Sequence, residues 1–429
     1  MKKQKILLCG LPSFYHNYGA QGLTLPLISE LNKKNPAEYL VTCYPRYFNQ
    51  ENLKFAKQNG FTLISEPNVL TILKNYSFIY KILFTLRSLI LKLSGKNHVL
   101  LKEDKEAKAF VQVLSGCKAF IDVDGIEFVG TRPFIKKLQN FMSMVYFQEI
   151  ANELDIPYLK NTKSYGPFLG FWDCYLAKKH FSKLPYVLVR AGGDNLKAVK
   201  TLKINQPIYE FPDISFALEP SPVSWASNYI KKTGLNLKKP IVGISCSSVI
   251  YSLQQKQKIE PLELYFKLID YFQKQDKQIL LLPHHVIGGH NPNTCDLALS
   301  RLVYKKLQSK KQVYLLDSSV LTYAQVRAII GMFDFYITGR FHSLVSSLIM
   351  EVPVISLSWH MKYRDLFSLF LKKYPLIDTS RTKSEDAYKI IKQFESDRSW
   401  FNKLILRKNK QKYLQSIAKN IDLLVSKVK

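Results

Sequence analysis

The chain has 429 residues, about twice the usual size of a single domain, so two domains are the natural expectation. Its hydrophobic fraction of 47% excludes a disordered chain, and 18 glycines with 19 prolines exclude collagen-like and low-complexity architectures. The 62 Lys and Arg residues against 33 Asp and Glu give a net charge of +29, which fits nucleic acid, an anionic membrane face or anionic small substrates as partners. The basic residues are spread along the whole chain, which is typical of a solvated surface.

Apolar, strand-like runs alternate with helical patterns over most of the length. This rhythm requires crossover helices and parallel sheets, so it predicts an α/β fold of two Rossmann-like domains facing across a cleft. Ligands of such folds bind at the carboxyl ends of the strands. The pattern predicts strands at 6–9, 39–44, 119–123, 186–190, 241–246, 278–283, 313–317, 335–338 and 354–358, and helices at 19–32, 133–154, 261–275, 294–308, 322–332 and 342–350.

Five prolines cluster near the middle of the chain, which suits a linker rather than a core. We therefore expect an N-terminal Rossmann-like domain at 1–205, a Pro-rich linker at 206–239, and a C-terminal Rossmann-like domain at 240–383. The remaining residues, 384–429, predict a basic helical tail. The prolines are Pro207, Pro212, Pro220, Pro222 and Pro240.

Four features bear on location and partners. The six cysteines are widely spaced and form no CxxC pair, so no zinc or redox motif is expected, and a reducing cytoplasm is the simplest location. Neither a run of 18 uncharged apolar residues nor a nucleic-acid-reading motif is visible, so we expect no spanning helix and no specific nucleic-acid binding.

The pattern of residues 74–93 predicts a basic amphipathic helix, whose apolar side either packs in the first domain or contacts an anionic membrane surface.

The densest group of chemically useful residues follows the strand at 335–338. Arg340 and His342 stand at the start of an apolar helix, where free N–H groups and the helix dipole attract anions. An Arg there adds a fork for phosphate or carboxylate, and a His can move protons near neutral pH. Lys362 follows the next strand and should lie beside Arg340. The structural alternatives are an Arg–His pair that caps a turn and a solvent-exposed Lys.

Weaker candidates follow other strands. Arg190 precedes a Gly-Gly pair, where the backbone can approach a ligand closely. Asp124 and Glu127 can orient a sugar hydroxyl or cap a turn. The loop that contains Asn17 and Tyr18 joins the first strand to the first helix, a typical place for substrate contacts. His284 and His285 are adjacent, but a metal site would need a third ligand, and acidic residues are sparse there.

The stretch Asp334–Lys362, with its G-R-F-H-S, V-P-V-I-S and W-H-M-K segments, resembles the polysaccharide pyruvyl transferase family. Members of that family show an Arg-apolar-His motif followed, one helix and one strand later, by a Lys, and Arg340, His342 and Lys362 match it. Two positions depart from the family pattern: Arg190 is followed by Ala-Gly-Gly-Asp, and Ala20 stands where many members have an acidic residue. Weaker matches in the correct order are Asn17–Gln21, Asp124–Glu127, Gly166–Phe168, Arg190, Pro212–Leu218 and Pro283–His284.

The resemblance implies a fold like that of the GT-B glycosyltransferases and transfer of the enolpyruvyl group of phosphoenolpyruvate to a sugar, which forms a pyruvate ketal and phosphate. The donor substrate is then phosphoenolpyruvate, on the side of the domain at 240–383, and no metal or cofactor is expected. The acceptor, on the side of the domain at 1–205, is a glycan or lipid-linked sugar of the cell envelope. The reaction would take place in the cytoplasm or at the inner face of the membrane. The alternatives are a nucleotide-sugar-dependent GT-B glycosyltransferase and a non-catalytic basic membrane-surface protein. The predicted site residues are His342, Arg340 and Lys362 for catalysis, Arg190, Arg340, Phe341, His342, Lys362 and His284 for the donor, and Asn17, Tyr18, Asp124 and Glu127 for the acceptor.

Overall fold

The first half of the chain is organised around a five-stranded parallel sheet. We describe the protein from a computed structural model, which covers residues 3–11, 13–66, 105–128, 134–287, 289–379 and 381–428. The strands lie in the order β3-β2-β1-β4-β6. The described elements in chain order are β1 (Lys5–Cys9), α1 (Tyr18–Lys34), β2 (Glu38–Cys43), α2 (Gln50–Gln58), β3 (Thr62–Ser65), α3 (Lys105–Ser115), β4 (Cys117–Asp122), β5 (Ile126–Glu127), α4 (Phe134–Glu153), β6 (Tyr158–Lys160), β7 (Ser164–Tyr165), α5 (Phe171–Phe181), β8 (Val187–Arg190) and α6 (Asp194–Lys200).

The second half repeats this arrangement with six parallel strands in the order β12-β11-β10-β13-β14-β15. Its strands are almost entirely apolar because helices cover both faces of a parallel sheet. The elements are β9 (Ile208–Phe211), α7 (Val223–Lys232), β10 (Ile241–Ser245), α8 (Ser248–Lys256), α9 (Glu263–Lys274), β11 (Gln278–Leu281), α10 (Asp296–Lys306), β12 (Val313–Leu315), α11 (Tyr323–Ile330), β13 (Phe335–Thr338), α12 (Phe341–Ile349), β14 (Val354–Ser358), α13 (Lys362–Phe370), β15 (Leu376–Asp378), α14 (Ser384–Ser396) and α15 (Lys403–Val425).

In each sheet the strand order reverses direction at one point. The first sheet grows from β1 through β2 to β3 on one side and continues with β4 and β6 on the other, so its switch point lies between β1 and β4. In the second sheet the switch point lies between β10 and β13, which pair with Ser245 opposite Thr338. Because α/β folds bind ligands in the crevices outside such points, the loops after β1, β4, β10 and β13 are where a ligand is expected.

Segment 206–239 differs from its prediction as a simple linker. It contains β9, which pairs in parallel with β8, a short 3-10 turn at Ile214–Ala217, and the helix α7. Ile214, Phe216 and Ile230 are buried in the main core. The prolines stand between these elements rather than inside them, and proline density therefore marked frequent turns but not the absence of a core.

The tail consists of the two helices α14 and α15. The first half of α15 contacts the second domain, where the Tyr413 hydroxyl donates to the Leu369 carbonyl. Its second half returns to the first domain: Lys34 of α1 forms an ion pair with Asp422, at 3.0 Å. Ile417, Ile421 and Leu424 are buried there. The second helix of the predicted basic tail thus contacts both domains.

The amphipathic helix predicted at 74–93 lies outside the described residues. None of the described helices combines the length and apolar character that crossing a bilayer requires.

Candidate active site

The two domains meet along the carboxyl ends of their sheets. Asn17, after β1, forms an antiparallel bridge with His285, after β11. The side-chain oxygen Oε1 of Gln21 accepts a hydrogen bond from the Tyr323 amide at 2.7 Å. Near the opposite end of the contact, the Asp194 amide donates to Oδ1 of Asp365 at 3.2 Å. A narrow crevice lies along this contact, lined among others by Ser164, Arg190, Asp213, Phe341, Lys362 and Asp365. Phe341 follows β13 and so belongs to one of the switch-point loops, whereas Arg190 ends β8 and Lys362 follows β14.

The Phe341 ring contacts two cations that come from different domains. The Arg190 guanidinium, at the end of β8, is 4.7 Å from the centre of the Phe341 ring. The Lys362 ammonium, at the start of α13, is 5.5 Å from the same ring. Cations gain energy from the face of an aromatic ring, but a ring does not neutralise them. The crevice therefore collects positive charge from both sides.

Arg190 is held by residues of its own half of the molecule. Its Nε lies 2.8 Å from Oδ2 of Asp213, and its Nη1 donates to the Ser164 hydroxyl at 3.3 Å. The remaining terminal nitrogen, Nη2, is buried and has no hydrogen-bond partner in the described part of the chain. A buried donor without a partner is costly, so this nitrogen is suited to an anionic ligand.

Lys362 has no carboxylate of the described residues within ion-pair distance and instead lies 4.7 Å from the centre of the Trp359 ring. Burial, together with the charges of Arg190 and Arg340, lowers the pKa of Lys362 to about 7. Both causes disfavour the charged ammonium. A bound anion would oppose them and favour protonation of Lys362.

Arg340 differs from Lys362 because its charge is balanced. Its Nε and Nη2 both donate to the carboxylate of Asp296, with 2.9 Å for the Nε bond, and Nη2 also donates to the Ser248 hydroxyl. The same carboxylate accepts hydrogen bonds from the Ser248 and His285 amides. Arg340 thus ties together the loops that follow β10, β11 and β13.

His342 stands in the first turn of α12, beside the start of α1. A Cβ placed on Gly19 would lie 3.2 Å from its Nδ1, so the first helix can approach this close only without a side chain at that position. Burial lowers the pKa of His342 to about 4, although Asp213 opposes the shift. Its Nε2 has no hydrogen-bond partner among the described residues. His342 is therefore neutral near pH 7, with a ring nitrogen available for proton transfer.

Asp213 connects several of these groups. Burial alone would raise its pKa, but Arg190, His342 and hydrogen bonds from Ser215 lower the pKa below its ordinary value. Its Oδ1 accepts from the Ser215 amide at 2.8 Å and caps the 3-10 turn Ile214–Ala217. The far end of that turn is held by the buried guanidinium of Arg327, which donates to the Ser215 and Leu218 carbonyls.

His284 lies deeper than the crevice. Its ring makes edge contacts with Tyr18 at 5.3 Å and with Tyr323 at 5.5 Å between ring centres. Burial, with the nearby His342 and Arg340, holds the pKa of His284 well below its usual range. The structure packs this predicted donor-binding residue against two tyrosines that stack on each other, and it is not among the residues that line the crevice.

The four predicted acceptor residues divide into two pairs. Tyr18 and Glu127 are buried: the Tyr18 hydroxyl donates to the Ser318 carbonyl, and the Glu127 carboxylate binds the ammonium groups of Lys160 and Lys163. The structure does not bring either of them to the crevice. Asn17 caps α1, accepting from the Ala20 amide at 3.1 Å, and keeps part of its surface exposed.

Asp124 is half-buried at the loop after β4. Burial and the neighbouring Asp122 and Glu127 raise the pKa of Asp124 to about 6, although Lys163 opposes the shift. The backbone around it is fixed by Asp122, whose Oδ1 accepts from the Asp124 amide at 3.0 Å. A carboxyl group with a pKa near neutrality suits proton exchange with a sugar hydroxyl.

Sequence reasoning did not select Asp213 and Asp296 as site residues. Asp296 is 44 residues from Arg340, and only the pairing of β10 with both β11 and β13 brings the two together. Asp213 begins a capped turn in a segment predicted as a linker. Its position two residues before Ser215 and its place in the Pro212–Leu218 family match were the available signals. No cluster of His, Cys, Asp and Glu able to hold a metal ion exists among the residues that the structure describes.

Comparison with solved structures identifies the class of fold. The chain aligns over 100% of its length with UGT89C1 of Arabidopsis thaliana in complex with UDP-L-rhamnose, covering 99% of that chain at 12% identity and a TM-score of 0.57. TcCGT1 in complex with UDP gives the same coverages and identity with a TM-score of 0.56. MnaA of S. aureus with UDP gives a TM-score of 0.52 at 11% identity, over 96% of this chain and 92% of that one. The protein has the two-domain, Rossmann-like GT-B fold.

A match between the amino-acid sequence and a family model identifies the family. The family model described as polysaccharide pyruvyl transferase matches residues 17–361, which include both Rossmann-like sheets almost completely. The chain therefore belongs to the polysaccharide pyruvyl transferase family and is a transferase, and a glycan is the acceptor class that this family implies. The search of curated proteins returned no matching relative.

Proposed function

We propose that the protein transfers the enolpyruvyl group of phosphoenolpyruvate to one sugar of a polysaccharide or its precursor and releases phosphate. The observation that carries the proposal is the contact of both the Arg190 and the Lys362 cations with the Phe341 ring, with His342 next to Phe341 in the chain. Phosphoenolpyruvate carries a carboxylate and a phosphate, so it needs several fixed cations. Among the described residues, Nη2 of Arg190 is a buried donor without a hydrogen-bond partner, and the Lys362 ammonium has no carboxylate within ion-pair distance.

In the proposed reaction, two hydroxyls of one sugar add to the central carbon of the enolpyruvyl group. The methylene carbon gains one proton and becomes a methyl group, the bond from the central carbon to the phosphate oxygen breaks, and two carbon–oxygen bonds form. The two hydroxyl protons end on the methyl carbon and on the released phosphate. Atoms and charge therefore balance without a further reactant.

We assign the proton transfers to His342 and Asp124. His342 is neutral at pH 7 and can accept a proton from an attacking hydroxyl, then pass one on as an imidazolium. Asp124, with a pKa of about 6, would hold the acceptor on the side of the first domain. Arg340 acts through position in this scheme, because its bond to Asp296 fixes the loop that carries Phe341 and His342.

A phosphate-release assay tests the proposal. Phosphoenolpyruvate is supplied with a panel of glycan acceptors, and the intact protein is compared with the His342→Ala and Arg340→Ala variants. Phosphate release that requires an acceptor and both residues supports the proposal. Absence of release, together with no binding of phosphoenolpyruvate by calorimetry and measurable binding of a nucleotide sugar, would assign the fold to glycosyl transfer instead.

A further inference from the structure

The helix α5 carries large aromatic side chains on its exposed face. Its buried face, which includes Ala177 and Phe181, packs into the core of the first domain. On the opposite face, Phe171 is 72% exposed, Trp172 45% and Tyr175 48%. Aromatic side chains of this size gain a substantial hydrophobic free energy when they are removed from water.

The three aromatic side chains form one cluster. The Phe171 and Tyr175 rings are stacked with their centres 6.1 Å apart, and the Trp172 ring meets Phe171 edge-on at 5.3 Å. Leu169, just before the helix, is also exposed. A contiguous apolar patch on a protein surface marks a site of interaction. We call Leu169, Phe171, Trp172 and Tyr175 the aromatic patch.

Two lysines continue the same helical face. Lys178 and Lys179 follow Tyr175 by three and four residues, which places them on the exposed side in the last turn. No carboxylate of the described residues lies within ion-pair distance of either ammonium group. The helix thus combines an aromatic half with a cationic half on a chain whose net charge is +29.

The single carboxylate of α5 is turned away from this surface. Asp173 is buried, and its Oδ2 binds the Lys137 ammonium at 2.7 Å and the Leu169 amide at 3.1 Å. A surface that binds sugars pairs its aromatic rings with acceptors for the sugar hydroxyls, and this face offers no carboxylate for that purpose. Aromatic side chains next to lysines match instead the interface of a bilayer that contains anionic lipids.

We propose that the exposed face of α5 docks the protein onto an anionic membrane surface, with the aromatic patch inserted at the interface and Lys178 and Lys179 at the level of the lipid headgroups. This inference does not depend on the proposed reaction.

Sedimentation of the full-length protein with vesicles tests this inference. Vesicles of phosphatidylcholine alone are compared with vesicles of phosphatidylcholine and phosphatidylglycerol. We expect binding to the anionic vesicles and a loss of affinity of about tenfold or more in the triple variant Phe171→Ser/Trp172→Ser/Tyr175→Ser. Lys178→Gln/Lys179→Gln should also weaken binding. Thermal unfolding verifies that each variant is folded.

Two matched controls distinguish docking through α5 from nonspecific binding through exposed lysines or exposed apolar side chains elsewhere. Leu404→Ser/Ile405→Ser removes a pair of exposed apolar side chains from α15, and Lys231→Gln/Lys232→Gln removes two exposed lysines from the last turn of α7. Both controls should bind like the intact protein. In addition, a blue shift of tryptophan fluorescence on anionic vesicles should disappear in Trp172→Phe while that variant still binds.

Three results would overturn the inference. The first is no binding to anionic vesicles by the intact protein. The second is an equal loss of binding in the α5 variants and in the controls, since overall charge would then be the cause. The third is unchanged vesicle binding in the triple variant together with a raised KM for a soluble glycan, which would assign the aromatic patch to the acceptor.

Discussion

Arg190 and Asp213 lie 2.8 Å apart, and each serves a second partner. Arg190 extends over the Phe341 ring, and Asp213 caps the turn Ile214–Ala217, whose other end is bonded to Arg327. The cation of the first domain is therefore oriented by a carboxylate from the segment that joins the domains. The position of the Arg190 guanidinium therefore depends on the directional contact with Asp213 and not only on the attraction between opposite charges.

Replacing Arg190 by Lys should lower kcat/KM for phosphoenolpyruvate about 100-fold, because an ammonium cannot contact Asp213, Ser164 and a ligand with the planar fork of a guanidinium. Phosphate release under steady-state conditions measures this. The matched change Arg364→Lys affects an exposed ion pair with Asp194 and should stay within about threefold of the intact protein. Equal activities of the two variants would contradict the assignment of Arg190.

Affinity for phosphoenolpyruvate should fall by about tenfold per pH unit above pH 7. The pKa of Lys362 in the free protein is lowered to about 7, so the ammonium that binds the donor is lost as the pH rises through that value. The phosphate of the donor is already fully ionised there, since its second pKa is about 6. Calorimetry from pH 7 to pH 9 should also show uptake of a proton on binding.

Lys362→Arg provides the control for this pH dependence. A guanidinium keeps its proton throughout the range, so the variant should bind with an affinity that hardly changes with pH. An intact protein with an equally flat profile would show that Lys362 does not bind the donor.

His342→Ala and His342→Gln should reduce phosphate release about 10²- to 10⁴-fold, the usual contribution of a general acid or base. Donor affinity should change little, because the neutral imidazole contributes no charge to binding at pH 7. Single-turnover measurements with calorimetry separate the two effects. His290→Ala, which alters an exposed histidine, should behave like the intact protein. A weakened donor affinity with an unchanged single-turnover rate would instead make His342 a binding residue.

Gly192→Ala should force the domains apart at the crevice. A Cβ at Gly192, where φ is +145°, would lie 2.2 Å from Cβ of Asp365. Gly193 also has a positive φ, +94°, but no atom lies within 4 Å of its added Cβ, so Gly193→Ala controls for backbone strain. We expect donor affinity about tenfold lower in Gly192→Ala than in Gly193→Ala by calorimetry. Equal affinities would show that this contact does not close the crevice.

The sequence predicted well what depends on local pattern. Strands 335–338 and 354–358 were predicted with the bounds that the structure has, because buried parallel strands consist of continuous apolar runs between turns. The prediction that Lys362 lies near Arg340 rests on the same rule, and the charge of Arg340 is among the causes that lower the pKa of Lys362. The pairing of Arg340 with Asp296, and the burial of Glu127 between two lysines, depend on contacts between distant segments. No local pattern encodes such contacts.

The path of α15 has a consequence for biosynthesis. Tyr413 is bonded to the second domain, whereas Ile417, Ile421 and Leu424 complete the hydrophobic face that α1 offers in the first. During translation, the helix α1 leaves the ribosome hundreds of residues before Ile417, Ile421 and Leu424, which cover its apolar face. The nascent first domain must keep an apolar face in contact with water or with a chaperone until Leu424 has emerged. Shortening the chain by its last turns should therefore impair maturation of the domain that is made first.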